Sequence, residues 1–141
     1  MTEPKTISEL MKLVMEECKK GNTNNAIIYL NEAIEIDPHD ARFYISRVCF
    51  KGTESHEDAI EDYTKAIEIE PNSVFAYRLR GDSKSKLGDY QGAIDDYTKA
   101  IEIYPNKAYL YNYHAESKRK LGDKEGADEG DRKAEKLKNI F

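Results

Sequence analysis

Histidines and cysteines, the residues best suited to metal binding and nucleophilic catalysis, are few and scattered along the chain. His39 lies in a turn, His56 near the start of a helix and His114 within another helix. None has a cysteine or a second histidine at metal-ligand spacing, and Cys18 and Cys49 belong to no CxxC pair. We therefore predict turn and core histidines, buried thiols, no metal site and no cofactor.

Adjacent carboxylates occur at Glu61-Asp62 and again at Asp95-Asp96, and paired acids can serve as general acid and base. Neighbouring residues of a helix point to different sides, so neither pair faces a common substrate. Glycine-rich phosphate loops, nucleophile elbows and HExxH motifs do not occur in the sequence. The chain is therefore predicted to be a non-enzyme, and a hydrolase or transferase on this scaffold is the least favoured interpretation.

Composition narrows the class of protein further. The 141 residues suffice for one domain, 39% of them are hydrophobic, and 22 Lys+Arg against 27 Asp+Glu give a formal net charge of −5. This balance argues against a dedicated nucleic-acid binder, and no apolar run approaches the roughly 20 residues of a membrane span. The first residues lack the pattern of a secretory signal, so the expected location is the cytoplasm.

An eleven-residue segment occurs twice, 34 positions apart, and defines a repeat. AIEDYTKAIEI, which begins at Ala59, returns at Ala93 as AIDDYTKAIEI with one residue changed. Apolar residues within the segment recur at three, four and seven, which predicts a helix. The same interval separates further alanines and prolines: Ala26, Ala59, Ala93, Ala127, Pro38, Pro71 and Pro105. Prolines after one helix and glycines after another predict the helix ends.

Each repeat is predicted to consist of helix A, a tight turn and helix B. We expect helix A at about 7–20, 41–51, 74–87 and 108–121, and helix B at about 24–36, 56–69, 90–103 and 124–139. The repeats are then about 7–40, 41–73, 74–107 and 108–141, within a single domain over 1–141, and the last repeat is degenerate and capping. A residue missing between Lys51 and Ser55 predicts an irregular turn in the second repeat.

These units resemble the tetratricopeptide repeat. The third unit matches its pattern best, with Tyr77, Gly81, Leu87-Gly88-Asp89-Tyr90, Ala93, Tyr97, Ala100 and Pro105. The resemblance implies an all-α fold, a right-handed α-solenoid of about four antiparallel helix-turn-helix repeats whose helices A line a concave groove. It also implies a scaffold or adaptor for protein–protein interaction.

Helices A are rich in basic residues and helices B in acidic ones, so the groove is expected to be locally positive and to bind an acidic peptide or protein segment. The groove-facing positions that the resemblance implies are Met11, Met15, Arg42, Ile45, Phe75, Arg78, Lys86, Tyr109, Asn112, Arg119 and Lys120. Aromatic and arginine side chains often dominate binding interfaces. The alternative is that Phe75 and Tyr109 merely pack between neighbouring helices A.

Many family members grip the carboxylates of chaperone tails with a Lys, Asn, Asn, Lys, Arg clamp. The matching positions here hold none of these residues in either frame: Met11, Met15, Ser46, Phe75 and Leu79, or Ile45, Cys49, Leu79, Tyr109 and Tyr113. The clamp ligand is therefore not expected.

Two arginines occupy helix A positions where the family usually has an aliphatic residue. Arg47 and Arg80 recur together with Asp62 and Asp96 of helices B. We predict that each arginine pairs with one of these aspartates in the same or an adjacent repeat. Two solvated surface charges are the alternative.

The end of the chain carries an apolar stripe formed by Leu137, Ile140 and Phe141. It is expected either to fold back over the fourth repeat or to pair with a second copy. A self-assembly module that dimerises through its terminal repeats is therefore the alternative to the adaptor.

Overall fold

A computed structural model describes residues 3–52 and 55–140, which form α-helices joined by short turns. The helices are α1 (Ile7–Lys20), α2 (Thr23–Ile36), α3 (Ala41–Lys51), α4 (His56–Ile69), α5 (Val74–Lys86), α6 (Tyr90–Ile103), α7 (Ala108–Lys120) and α8 (Lys124–Ile140). Every predicted helix is present with ends within one residue of the expected positions. Among the described residues, no helix combines the length and apolar character needed to cross a membrane.

Six of the eight helices of the described residues begin at residues whose side chains satisfy free backbone N–H groups. At α1 the Glu9 N–H donates to the Thr6 hydroxyl (3.2 Å) and the Thr6 N–H donates to the Glu9 carboxylate (2.8 Å), which forms a capping box. Further helix starts are capped by Asp40, Ser55, Ser73, Asp89 and Asp123. These caps locate the starts of the helices that have them, whereas α2 and α7 begin without a side-chain cap.

Glycines end helices A, as predicted. Those after the first, third and fourth helices A have left-handed φ values of 78°, 82° and 89°: Gly21, Gly88 and Gly122. Gly52 after the second helix A has φ 70° but ψ −157°, whereas ψ at Gly21 is 11°. The backbone therefore leaves α3 in another direction than α1. The irregular turn predicted over 51–55 includes residues 53–54, which lie outside the described residues.

The first compact unit, Met1–Glu70, contains α1 to α4, and each helix packs against the next one in the chain. Its core is formed by Leu10, Val14, Ala26, Leu30, Ala33 and Phe43. The Tyr44 hydroxyl of α3 donates a 2.9 Å hydrogen bond to the carbonyl of Pro38, in the turn after α2. This bond connects the second repeat to the end of the first.

The second compact unit, Pro71–Phe141, contains α5 to α8 in the same arrangement of consecutive packed helices. The alanines that recur with the repeat are fully buried in this unit: Ala93, Ala100, Ala127 and Ala134. The Tyr111 hydroxyl donates to the Pro105 carbonyl at 2.7 Å, which repeats the Tyr44–Pro38 bond of the first unit. The two units thus use the same connection between successive repeats.

The prediction of buried thiols is wrong, because Cys18 and Cys49 are both exposed. Each cysteine directly follows the last buried residue of its helix, Glu17 in α1 and Val48 in α3. One residue rotates a helix by about 100°, which takes the thiol off the packed face.

The apolar stripe at the end of the chain is divided between the core and the surface. Leu137 is buried in its own unit, where α8 packs on α7, whereas Ile140 is exposed. Phe141 lies outside the described residues. Leu137 therefore folds back onto its own unit, which was one of the two expectations, and pairing of the chain end with a second copy stays a prediction.

Candidate partner-binding site

The two predicted arginine–aspartate pairs are confirmed, each within one repeat. Arg47 donates through Nε (2.9 Å) and Nη2 (2.5 Å) to the two oxygens of Asp62. Arg80 makes the same fork to Asp96 at 2.9 and 2.7 Å. Hydrogen bonding to these carboxylates raises the pKa of both guanidinium groups. The aspartates are buried, so these arginines stabilise the helix pairs and present little charge to a partner.

The third and fourth repeats bring together an exposed group of aromatic side chains around one arginine. The guanidinium carbon of Arg78 lies 5.4 Å from the ring centre of Phe75 and 5.9 Å from that of Tyr109. The Tyr109 ring in turn meets Tyr113 edge-on, at 6.2 Å between centres. We call Phe75, Arg78, Tyr109 and Tyr113 the aromatic cluster. Its three rings are 42–49% exposed, so they remain accessible to a partner.

Asp82 fixes the aromatic cluster through its bonds to Arg78 and Tyr97. Its carboxylate pairs with Arg78 at 3.3 Å and accepts a short hydrogen bond from the buried hydroxyl of Tyr97. Burial and this bond raise the pKa of Tyr97, and the ring of Tyr97 stacks on Tyr113 at 5.8 Å. Gly81 makes room for the Tyr97 ring, because a Cβ on residue 81 would lie 2.9 Å from the edge of that ring.

Among the other predicted residues of this unit, Arg119 is occupied internally. It bonds Glu116 (3.1 Å) in its own helix and Asp131 (2.7 Å) in α8, so it links the helices of the fourth repeat. Lys86 and Lys120 are exposed and form no ion pair with the described residues. Asn112 is half-buried. Among the groove residues predicted in this unit, the free positive charge therefore depends on the two lysines.

Four of the predicted residues belong to the first unit. Met15 is 60% exposed, whereas Met11 is half-buried against the core. Ile45 is half-buried, and Arg42 donates to Asp40 at 2.7 Å, which lowers the pKa of that carboxyl. Arg42 is thus partly neutralised, and only Met15 combines exposure with an apolar side chain.

Tyr113 is the member of the aromatic cluster that the sequence analysis missed as a groove residue. It lies four positions after Tyr109 in α7, the spacing at which helical side chains meet on one face. Tyr113 had been considered as a position of the carboxylate clamp, where a tyrosine does not match, and it was therefore not counted among the groove-facing residues.

Comparison with known proteins places the chain in a family. Two family models described as tetratricopeptide repeat match it, one over residues 74–107 and the other over residues 19–40 and 48–73. Together they span more than half of the chain. The chain belongs to the tetratricopeptide repeat family, and it is a protein-interaction adaptor or scaffold of that all-α solenoid class.

Relatives and solved structures agree with this assignment. Serine/threonine-protein phosphatase 5 of Homo sapiens is 31% identical over 88 residues, which are 62% of this chain and 18% of that protein. Hsp70-Hsp90 organizing protein of Triticum aestivum is 32% identical over 88 residues, 57% of this chain and 15% of that protein. The chain thus spans less than a fifth of either relative. A crystal structure of MamA superposes on this chain with a TM-score of 0.88 at 23% identity. The aligned region covers 98% of this chain and 81% of the MamA chain.

Proposed function

We propose that this adaptor binds an acidic protein segment at the aromatic cluster of its second unit, and that it carries out no chemical step on its partner. The observation that supports the proposal is Arg78, placed over two exposed rings. Arginine and tyrosine are the residue types most often found at interface hot spots. A chain of contacts from Asp82 through Arg78 and Tyr109 to Tyr113 holds these side chains in place before a partner arrives, which lowers the entropy lost on binding.

The positive charge of α5 and α7, the two helices that carry the cluster, favours a partner with carboxylates. Arg78 shares its charge with Asp82, but Lys86 at the end of α5 and Lys120 at the end of α7 remain available. Both lysines were predicted as groove residues. Asn112 adds an amide to α7, the helix that also carries Lys120. An acidic segment with an apolar residue would satisfy both the rings and the lysines. A binding role stays a prediction for the four groove residues of the first unit: Met11, Met15, Arg42 and Ile45.

A tail bound through a chaperone-type carboxylate clamp is not part of this proposal. The wheat relative is named for organizing Hsp70 and Hsp90. In this chain the clamp positions carry residues such as Ile45, Cys49 and Leu79, none of which can donate a charged hydrogen bond to a carboxylate. The acidic segment is proposed to meet rings and lysines instead.

The test is the binding of a fluorescein-labelled hexaglutamate peptide, followed by fluorescence anisotropy at low and at high salt. We expect the double variant Arg78→Gln/Lys86→Gln to bind at least about tenfold more weakly (about 1.4 kcal/mol). Tyr109→Ala should lower the affinity of the same peptide carrying one central leucine. Because charge attraction is screened by salt, hexaglutamate binding should also weaken as salt rises.

The control variant is Lys65→Gln. It removes an exposed lysine of the first unit, which pairs with Glu68 one turn further along the same helix. It should bind the peptide as the unchanged protein does. If Arg78→Gln/Lys86→Gln also binds unchanged, or if hexaglutamine binds as tightly as hexaglutamate, the proposed site is wrong.

A further inference from the structure

The fourth repeat contains a recess at the position that an internal carboxylate fills in the third repeat. Asp96 of α6 accepts hydrogen bonds from Arg80 and an ion pair from Lys84 at 3.2 Å. The residue 34 positions after Asp96 is Gly130, and the residue 34 positions after Lys84 is Lys118. The lysine is therefore kept in the fourth repeat while its acid is missing.

A recess lies next to the position of the missing acid. It has a volume of about 660 Å³ and lies among α6, α7 and α8, and Gly126, Gly130 and Lys118 are among its lining residues. Gly126 and Gly130 contribute no side chain to fill it. A Cβ on Gly130 would lie 3.2 Å from the Cβ of Ala115 and 3.4 Å from the Tyr111 carbonyl oxygen, so a side chain there requires these neighbours to shift by a few tenths of an ångström.

The lining of the recess is positively charged. Its cations are Lys118, Arg132, Lys133 and Lys136, and its acids are Glu102 and Glu129. Within residues 3–52 and 55–140, none of these four cations forms an ion pair. Lys84, by contrast, is paired with Asp96 in the third repeat. Lys118 is therefore a half-buried cation whose internal partner has been removed.

His114 occupies the place of Arg80 and adds no charge to the recess at neutral pH. Its Nε2 lies 2.9 Å from the Thr98 hydroxyl oxygen, and burial together with nearby Lys118 lowers its pKa to about 4. The neutral ring forms part of the recess lining. The positive charge available to a ligand thus comes from the lysines and Arg132.

We propose that this recess binds a carboxylate of a protein partner, which takes the place that Asp96 occupies in the third repeat. The carboxylate pairs with Lys118 and is surrounded by Arg132, Lys133 and Lys136. This site is distinct from the aromatic cluster. Both sites include residues of α7, but they have no residue in common. The adaptor would then hold one partner at two points of its second unit.

The test is a titration of the full chain with succinate, followed through the backbone amide shifts of Lys118, Gly126 and Gly130. We expect saturable shifts at these amides and at least a threefold weaker affinity in Lys118→Gln. Gly130→Asp supplies an internal carboxylate and should abolish the shifts, whereas its uncharged counterpart Gly130→Asn should retain part of them. Arg78→Gln should leave them unchanged, which separates this site from the aromatic cluster.

Absence of succinate shifts at the three amides would overturn the proposal, as would equal binding by Gly130→Asp and the unchanged protein. Inorganic phosphate serves as a second probe. If phosphate binds the recess more tightly than succinate, the assignment to a carboxylate is wrong. Circular dichroism of each variant confirms that a lost signal does not reflect loss of helix.

Discussion

The second and third repeats have almost the same helix B but present different surfaces. The two aspartates, Asp62 in α4 and Asp96 in α6, grip an arginine of helix A with the same fork geometry. The helices A differ, because Val48 and Cys49 stand where the third repeat has Gly81 and Asp82. An exposed thiol therefore replaces a carboxylate that anchors Arg78.

This contrast separates the frame from the site. Alanines, the arginine–aspartate fork and the turn residues are shared by both repeats, and they fix how helix A meets helix B. A close approach of Tyr97 and its bond to Asp82 require Gly81 and Asp82, which only the third repeat of this pair has. The candidate binding surface therefore depends on a few helix A residues laid on a common scaffold.

Removal of the buried carboxylates should have the largest effect, and it should differ between the two repeats. Asp96→Ala leaves both Arg80 and Lys84 without that carboxylate, so we expect a loss of about 3–5 kcal/mol in the free energy of unfolding. Asp62→Ala should be milder, because it affects one cation, and Arg47 keeps its 3.0 Å bond to Asn31. Urea unfolding measures both. Equal losses would mean that Lys84 adds nothing to the third repeat.

A methyl group at Gly81 tests the close approach that distinguishes the third repeat. Gly81→Ala places a Cβ 2.9 Å from the buried Tyr97 ring, which should cost about 1–3 kcal/mol, offset by about 1 kcal/mol of improved helix propensity. Tyr97 would also shift away from Asp82, so the partner affinity of the aromatic cluster should fall. Gly130→Ala is the matched control in α8, where the nearest contact is a less crowded 3.2 Å. A Gly81→Ala protein as stable as the control would contradict this account.

The smallest effect is expected from His114, which stands where the arginines of the other two repeats stand. Its pKa in the folded chain is lowered to about 4. Between about pH 6.5 and pH 4, His114 is therefore protonated in the unfolded chain and neutral in the folded chain. Stability should therefore fall as pH decreases through this window, by about 1 kcal/mol once partial exposure is taken into account.

Unfolding by urea at pH 7 and at pH 4.5 measures this dependence. His114→Gln should remove part of the decrease, because the remaining decrease belongs to carboxylates whose pKa is lowered in the folded chain, such as Asp40. An identical pH dependence in the variant would show that His114 titrates normally in the folded chain.

The frame could be predicted from the sequence because its signals are local or recur with the repeat. Helix ends follow from Gly21, Gly88, Pro71 and their counterparts, whose backbone limits act within one or two residues. The pairing of Arg47 with Asp62 followed from the recurrence of the same two residue types in the next repeat.

The site was less predictable because it depends on competition among neighbouring charges. Arg78 and Arg119 were both predicted as cations available to a ligand, yet Asp82 and Asp131 lie close enough to pair with them. Asp131 comes from the next helix, at a residue where the family pattern expects an aromatic side chain. Which cation stays free depends on distances between helices, which residue types alone do not reveal.

The tyrosine bonds across the turns have a consequence for how the chain unfolds. Tyr44 and Tyr111 each reach back to the carbonyl of a proline that ends the preceding repeat. When one repeat frays, this carbonyl loses its side-chain donor, so the neighbour is weakened as well. Within each unit, the two repeats should consequently exchange their amide hydrogens as one cooperative block.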